Sequence, residues 1–102
     1  MKFHNPESEV YVPDDSPADH ALLRTTHLAV GAHQDDLEIM AFHGILDCFG
    51  KSDKHFTGVT VTNGSGSPRN DLYKGYTDEA MRKVRRVEQK KAAFVGEYSA
   101  HV

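Results

Sequence analysis

The chain is 102 residues long, 38% hydrophobic and 26% charged, with one cysteine, no tryptophan and a net charge of -3. That length allows one domain with a limited core, and the slight acidic balance argues against a general nucleic-acid or membrane-surface binder. The lone Cys48 excludes an internal disulfide framework and favours a reducing compartment. No stretch approaches the ~20 apolar residues of a membrane helix, and Met1-Lys2-Phe3-His4-Asn5-Pro6 lacks the apolar core of a signal peptide. A cytoplasmic protein without a membrane span is therefore expected.

Residues 1–26 read as a lead-in packed over the edge of a core. Val10-Tyr11-Val12 suits a short extended segment. Ser16-Pro17 suits an N-cap followed by proline at the first helical position, opening about two turns over Ala18–Arg24. Residues 27–32 are a continuous apolar run too short for a helix, as expected of a strand buried on both faces. From Asp36 to Phe49 apolar residues are dense enough for one helix, which Gly50 ends. Phe56 to Thr62 is short and β-branched, hence a second strand. A loop beginning at Asn63-Gly64-Ser65-Gly66-Ser67-Pro68 extends through Gly75. Thr77 or Asp78 then caps a long helix that runs to about Val95 and ends at Gly96.

Strand, helix, strand, helix predicts an α/β fold: a Rossmann-like parallel sheet with flanking helices. Two parallel strands and two helices cannot cover both faces of a sheet. Ser99-Ala100-His101-Val102 reads as the entry to a third strand. The expectation is that residues 27–102 form the first half of a larger α/β domain, an incomplete N-terminal portion. The alternative is a small complete domain that finishes its sheet as a homo-oligomer.

In an open parallel sheet, ligands gather at the carboxyl ends of the strands. Ala32-His33-Gln34-Asp35-Asp36-Leu37-Glu38 follows the first strand, and Asn63–Ser67 follows the second, so both fall on one rim. His33 and Asp36, three apart across a tight turn, can converge on one ion. Zinc accepts imidazole nitrogen and carboxylate oxygen at about 2.0–2.2 Å, and a catalytic zinc keeps three protein ligands and one water. Asp35, between them, is free to take a proton from that water, whose pKa the metal lowers from about 15.7 to roughly 7. The bland alternative is that Asp35 and Asp36 cap the following helix and complement its dipole, worth about 1 kcal/mol.

Gly31-Ala32-His33-Gln34-Asp35-Asp36-Leu37-Glu38 resembles the Ala-His-Pro-Asp-Asp-x-Glu signature of the LmbE-like, or PIG-L, zinc-dependent N-deacetylases. Weaker likeness continues through Gly44-Ile45, Thr60-Val61-Thr62-Asn63-Gly64 and Arg85-x-x-Glu88, covering most of residues 27–97. The resemblance implies that His33 and Asp36 hold Zn2+ (or another divalent metal) and that Asp35 is the general base. Arg85 matches the family arginine near the substrate, and Asn63 and Gly64 at the strand end are read as substrate-binding with it. It also implies a small-molecule partner, an N-acetylated amino sugar or conjugate. Gln34 stands where the family commonly has proline, a departure expected to loosen the turn without removing a ligand. The larger departure is that the family takes its third zinc ligand and its catalytic histidine from a His-x-x-His-like segment far downstream, to which nothing in these residues corresponds.

On the second helix, at about 100° per residue, Met81, Val84, Arg85, Glu88, Ala92 and Val95 fall on one face. Arg85 and Glu88 therefore interrupt the core stripe, either as an i, i+3 ion pair worth about 0.2–0.5 kcal/mol or with Arg85 reaching toward substrate. Arg82, Lys83, Arg86 and Lys90 lie opposite and read as a solvated face, not a nucleic-acid patch. The Asn63–Ser67 loop could bind an anion or sugar hydroxyls through backbone N–H groups, but it lacks a P-loop lysine; a flexible rim loop is the alternative. His43 is more simply a packed histidine than a ligand, and His4, His20, His27, His55 and His101 show no ligand spacing. Tyr73 and Tyr76 could line a sugar site or pack on the surface.

Two functions follow. The first is a zinc-dependent hydrolase that removes an N-acetyl or similar N-acyl group from an amino sugar or related small molecule, with the 102-residue chain by itself inactive. The second is a catalytically incomplete fragment, or a non-enzymatic module that binds a metal or small molecule.

Overall fold

The computed structural model describes all residues, Met1–Val102. In chain order the elements are α1 (Ala18–Leu23), β1 (His27–Gly31), α2 (Asp36–Met40), α3 (Phe42–Cys48), β2 (Phe56–Thr60), α4 (Asp78–Val95) and β3 (Ala100–His101), with a 3-10 turn at Asp71–Tyr73. The strands form one parallel sheet in the order β1-β2-β3. His27 lies opposite Phe56 and Gly31 opposite Thr60, while Thr57 and Gly58 face Ala100 and His101. The α/β, Rossmann-like architecture is thus present, and Ala100-His101 is a third strand. The outer edge of β3 is closed by Tyr11, which exchanges two backbone hydrogen bonds of 2.8 Å with His101. No helix is long and apolar enough to cross a membrane.

Phe56, at the start of β2, organises the core. Ile45 and Cys48 from α3, Ala93 from α4 and Tyr98 pack with it, and Ala29, Ala41 and Tyr11 close the margins. The Tyr98 ring meets Phe56 edge-on at 4.7 Å, a favoured aromatic geometry. Gly44 packs closely on the Phe56 ring: a Cβ there would stand 3.3 Å from it and press it aside slightly.

Four local expectations are corrected. β1 is not buried on both faces: Leu28 and Val30 are 64% and 61% exposed. α1 has only six residues and meets the chain next to β3, where the Ser99 hydroxyl donates to Ala21 O, while Thr25 just after it meets Thr57 on β2, so the β1 side lies open. The single helix expected over Asp36–Phe49 is two. Ala41 leaves helical geometry (φ -112°, ψ 19°), and its carbonyl then accepts from Gly44 and Ile45 N–H to start α3. No glycine or proline marks that break. Ser16 does not cap α1: Pro17 holds that position, and the Ser16 N–H donates to Asp14 instead. On α4 the buried stripe runs Met81, Arg85, Gln89, Ala93, and Val95 is exposed. A four-residue ridge is inclined to the helix axis, so Val95 falls off the buried stripe while Ala93, in the same last turn, stays in the core.

Capping of α4 follows expectation, with the Thr77 hydroxyl accepting from Ala80 N–H at 3.1 Å. The basic face opposite its core stripe is paired. Arg82 meets Glu7, Arg86 and Lys90 meet Glu9, and Lys83 meets Glu79. Each such exposed pair adds about 0–1 kcal/mol, but together they lay the acidic segment Glu7–Glu9 along the helix.

His101 is buried, its Nε2 beside the Thr60 hydroxyl at 2.9 Å and its Nδ1 without a partner. Burial lowers its pKa from the ordinary histidine value, against the opposing pull of the Glu38 charge. The folded state therefore favours neutral imidazole, while the unfolded chain binds a proton there below about pH 6.5. Stability is expected to fall as the pH drops through that value. Urea midpoints measured between about pH 7 and 5 should decline, and His101→Gln should flatten the decline; equal slopes would remove His101 as the cause. The Asp14 carboxylate, pulled down to about 2 by the Ser16 hydroxyl and then Arg24, acts only below its ordinary value of 3.8. The two windows therefore stay apart.

Candidate functional site

β1 ends at Gly31, where a Cβ would come within 3.0 Å of Asp36 Cβ and 3.2 Å of Leu37 Cδ2. A larger residue would have to push the Asp36 and Leu37 side chains aside by a few tenths of an ångström. The following turn is tied to the extension of β2: Val61 N–H donates to Gly31 O, Thr62 N–H to Ala32 O, and the Thr62 hydroxyl also to Ala32 O at 2.7 Å. Gln34 does not loosen the turn, as its place in the motif suggested. Its side chain is buried and its Nε2 donates to Thr62 O at 3.0 Å, tying the two rim loops together.

Within the turn, the two acidic neighbours face different surroundings. Asp36 Oδ2 accepts from His33 N–H at 2.8 Å and lies 3.6 Å from His33 Nδ1. Asp35 has φ +73°, the left-handed region, and its side chain makes no capping bond to α2. Its carboxylate is exposed and accepts from Arg85 Nη2 at 3.0 Å. The bland reading of Asp35 as a side-chain cap therefore does not describe this turn.

Arg85 reaches the rim from α4 with a largely buried side chain. Nη2 also donates to Gln34 O at 3.2 Å, and Nη1 donates to Glu88 Oε2 at 2.6 Å. The ion pair with Glu88 is present, and Arg85 also stands at the rim. Burial works against the Arg85 charge, but Asp35 and Glu88 outweigh it and hold the guanidinium above its usual pKa. Tyr73 joins this group, its hydroxyl donating to Glu88 Oε1 at 2.7 Å, and that bond raises its pKa. Tyr73 and Tyr76 pack edge-on at 5.5 Å.

His33, Asn63, Gly64 and Arg85 line one open cleft of about 450 Å³. Gly64 has φ +77°, and a Cβ there would fall 2.6 Å from Gln34 Oε1 and 2.8 Å from Arg85 Cβ, so the loop must pass bare over the turn. Two N–H groups of this loop are already used, Ser65 on Asn63 Oδ1 and Ser67 on Gly64 O. Arg69 takes the Ser65 and Ser67 carbonyls and pairs with Asp78. That leaves less free backbone for an anion than the glycine content suggests. His43 is exposed on α3, not packed, and stands apart from the cleft.

One imidazole and one carboxylate oxygen 3.6 Å apart form a donor set of the kind zinc accepts. They are two donors of the three a catalytic zinc usually keeps, and no group of three or more His, Cys, Asp or Glu side chains is assembled. The family model described as GlcNAc-PI de-N-acetylase, PIG-L, matches residues 28–100. The chain belongs to the PIG-L family. The matched span runs from β1 through the His33–Asp36 turn and α4 into β3. No curated protein and no solved structure matches the chain. PIG-L membership makes this a de-N-acetylase-type hydrolase fold.

Two residues around this PIG-L turn, Gln89 and Tyr98, escape motif spacing, and Glu38, the last residue of the motif, was given no role by it. Asp35 N–H donates to Gln89 Oε1 at 3.2 Å, and Glu38 Oε1 accepts from Gln89 Nε2 at 2.9 Å and from Tyr98 OH at 2.6 Å. An uncharged glutamine on the stripe of Met81, Arg85 and Ala93 was the available signal for Gln89.

Proposed function

We propose that the protein hydrolyses the N-acetyl or a similar N-acyl group of an amino sugar or related small molecule, with zinc as cofactor. The observation that carries this reading, beside family membership, is the division of labour between adjacent carboxylates. Asp36 points back to His33, while Asp35, in a left-handed conformation, stands exposed under Arg85.

His33 Nδ1 and Asp36 Oδ2 are the atoms that would hold the ion. When bound there, zinc supplies Lewis acidity toward water and toward an amide carbonyl. Asp35 takes the proton of the attacking water as general base. Arg85 fixes the Asp35 carboxylate, and its second nitrogen, held by Glu88, keeps the fork in one orientation. Asn63 and Gly64 form the wall of the cleft across from His33, where the acylated amine is received.

The test is zinc content and acetate release from N-acetylglucosamine derivatives. Asp36→Ala is expected to lose zinc affinity by more than the roughly 10–100-fold that removal of an outer-shell partner costs. Equal zinc in both proteins would remove Asp36 as a ligand. The two-donor set also favours a second reading, a module that binds metal or small molecule without turnover. Zinc binding with no acetate released from any N-acyl substrate would select it.

A further inference from the structure

α4 touches the His33–Asp36 turn at two points one helical turn apart. Arg85 grips the carboxylate of Asp35 and Gln89 grips its main chain. Gln89 is 4% exposed, so its carboxamide has no water to turn toward. A carboxamide can present either its oxygen or its NH2 group. Here the choice is made by Glu38, whose carboxylate oxygen accepts from the Gln89 NH2 group at 2.9 Å and can only accept. The Gln89 oxygen is then left facing the Asp35 N–H at 3.2 Å. Glu38 is held in turn by the Tyr98 hydroxyl at 2.6 Å, and the Tyr98 ring is set edge-on against Phe56 in the core. Burial, and then the Glu38 carboxylate, raise the pKa of the Tyr98 hydroxyl, which keeps it a donor.

Asp15, Asp71 and Glu97 also take positive φ, and aspartate enters the left-handed region more readily than most residues. What sets Asp35 apart is that a buried side chain holds its N–H, whereas Arg85 holds only the carboxylate and would follow it into another backbone state. We infer that Gln89 is a positioning residue for the general base, its amide oriented by the Glu38–Tyr98 pair so that the Asp35 backbone stays left-handed and the carboxylate stays in register with the His33–Asp36 pair. The inference rests on Asp35 being the base.

The experiment compares the unsubstituted full chain with Gln89→Met, which keeps volume and removes the amide. Hydrogen exchange at the Asp35 amide, read by NMR, is expected to speed up about tenfold, the loss of one hydrogen bond, while Phe56 and Ala93 amides keep their rates. In the zinc-loaded protein kcat for acetate release should fall about tenfold at unchanged KM, because the base and not the binding surface is displaced. Tyr98→Phe, which removes only the hydroxyl anchoring Glu38, should move both readouts the same way by less, and it serves alone if Gln89→Met does not fold. Unchanged Asp35 exchange in the folded variants, or a rise in KM at constant kcat, overturns the positioning role. Faster Asp35 exchange in a chain that releases no acetate before substitution keeps Gln89 as the holder of Asp35 and selects the reading without turnover instead.

Discussion

Asp35→Asn is expected to lower the rate of acetate release by about 10²–10⁴-fold, the range that a positioned general base contributes, while zinc stays bound. Asparagine preserves the shape and the oxygen that accepts from Arg85, so the fork and the turn should persist. What it removes is basicity. The His33–Asp36 pair lies on the other side of the turn and keeps its own 2.8 Å and 3.6 Å contacts. Stability should change little, because the Asp35 partner of the ion pair is exposed and such pairs are worth about 0–1 kcal/mol. The measurements are kcat/KM for acetate release and zinc per chain on the same preparation. Activity within a few-fold of the unsubstituted protein would assign the base elsewhere, and loss of zinc together with activity would make Asp35 a ligand.

The largest stability effect is expected at Phe56. The residue is 2% exposed and touches α3 at Gly44 and the Tyr98 ring at 4.7 Å. Phe56→Ala should cost about 3–5 kcal/mol, a large part of the roughly 5–15 kcal/mol that holds a domain together. Gly44, the nearest neighbour on the helix side, has no side chain to move into the space. A second consequence follows from position: Tyr98 loses the wall that fixes its ring, and with it the anchor of Glu38. Urea denaturation gives the free energy directly. Leu46→Ala, at an exposed position of α3, should stay within about 0.5 kcal/mol. A Phe56 loss no greater than the Leu46 loss would show that the core lies elsewhere.

Local chemistry was readable wherever one or two residues decide it. The β-branched run at β2, the Thr77 cap, the stop at Gly50 and the bare Gly31 turn all follow from rules that act within a few residues. The same holds for His33 and Asp36, whose three-residue spacing across the turn is enough to bring their atoms together. The fold class followed from the alternation of strand and helix, because parallel strands require crossovers.

What could not be read was anything set by a distant partner. Burial of β1 depends on how far the six-residue α1 extends over the sheet, and Leu28 and Val30 carry no mark of being left open. The break at Ala41 has no glycine or proline to announce it. Gln34, expected to loosen the turn, ties it, because Thr62 sits 28 residues away in sequence and 3.0 Å away in space. Gln89 looks like an ordinary helix residue, and Glu38 like a motif residue without a task, until Tyr98, Glu38, Gln89 and Asp35 are seen as one chain of hydrogen bonds. The sequence by itself determined which side chains could do chemistry and which turn would carry them, since residue type and short-range spacing settle both. Only the tertiary structure decided which conformation Asp35 adopts and what holds it there, since those contacts span 51 to 60 residues and exist only once α4 and Tyr98 have packed against the sheet.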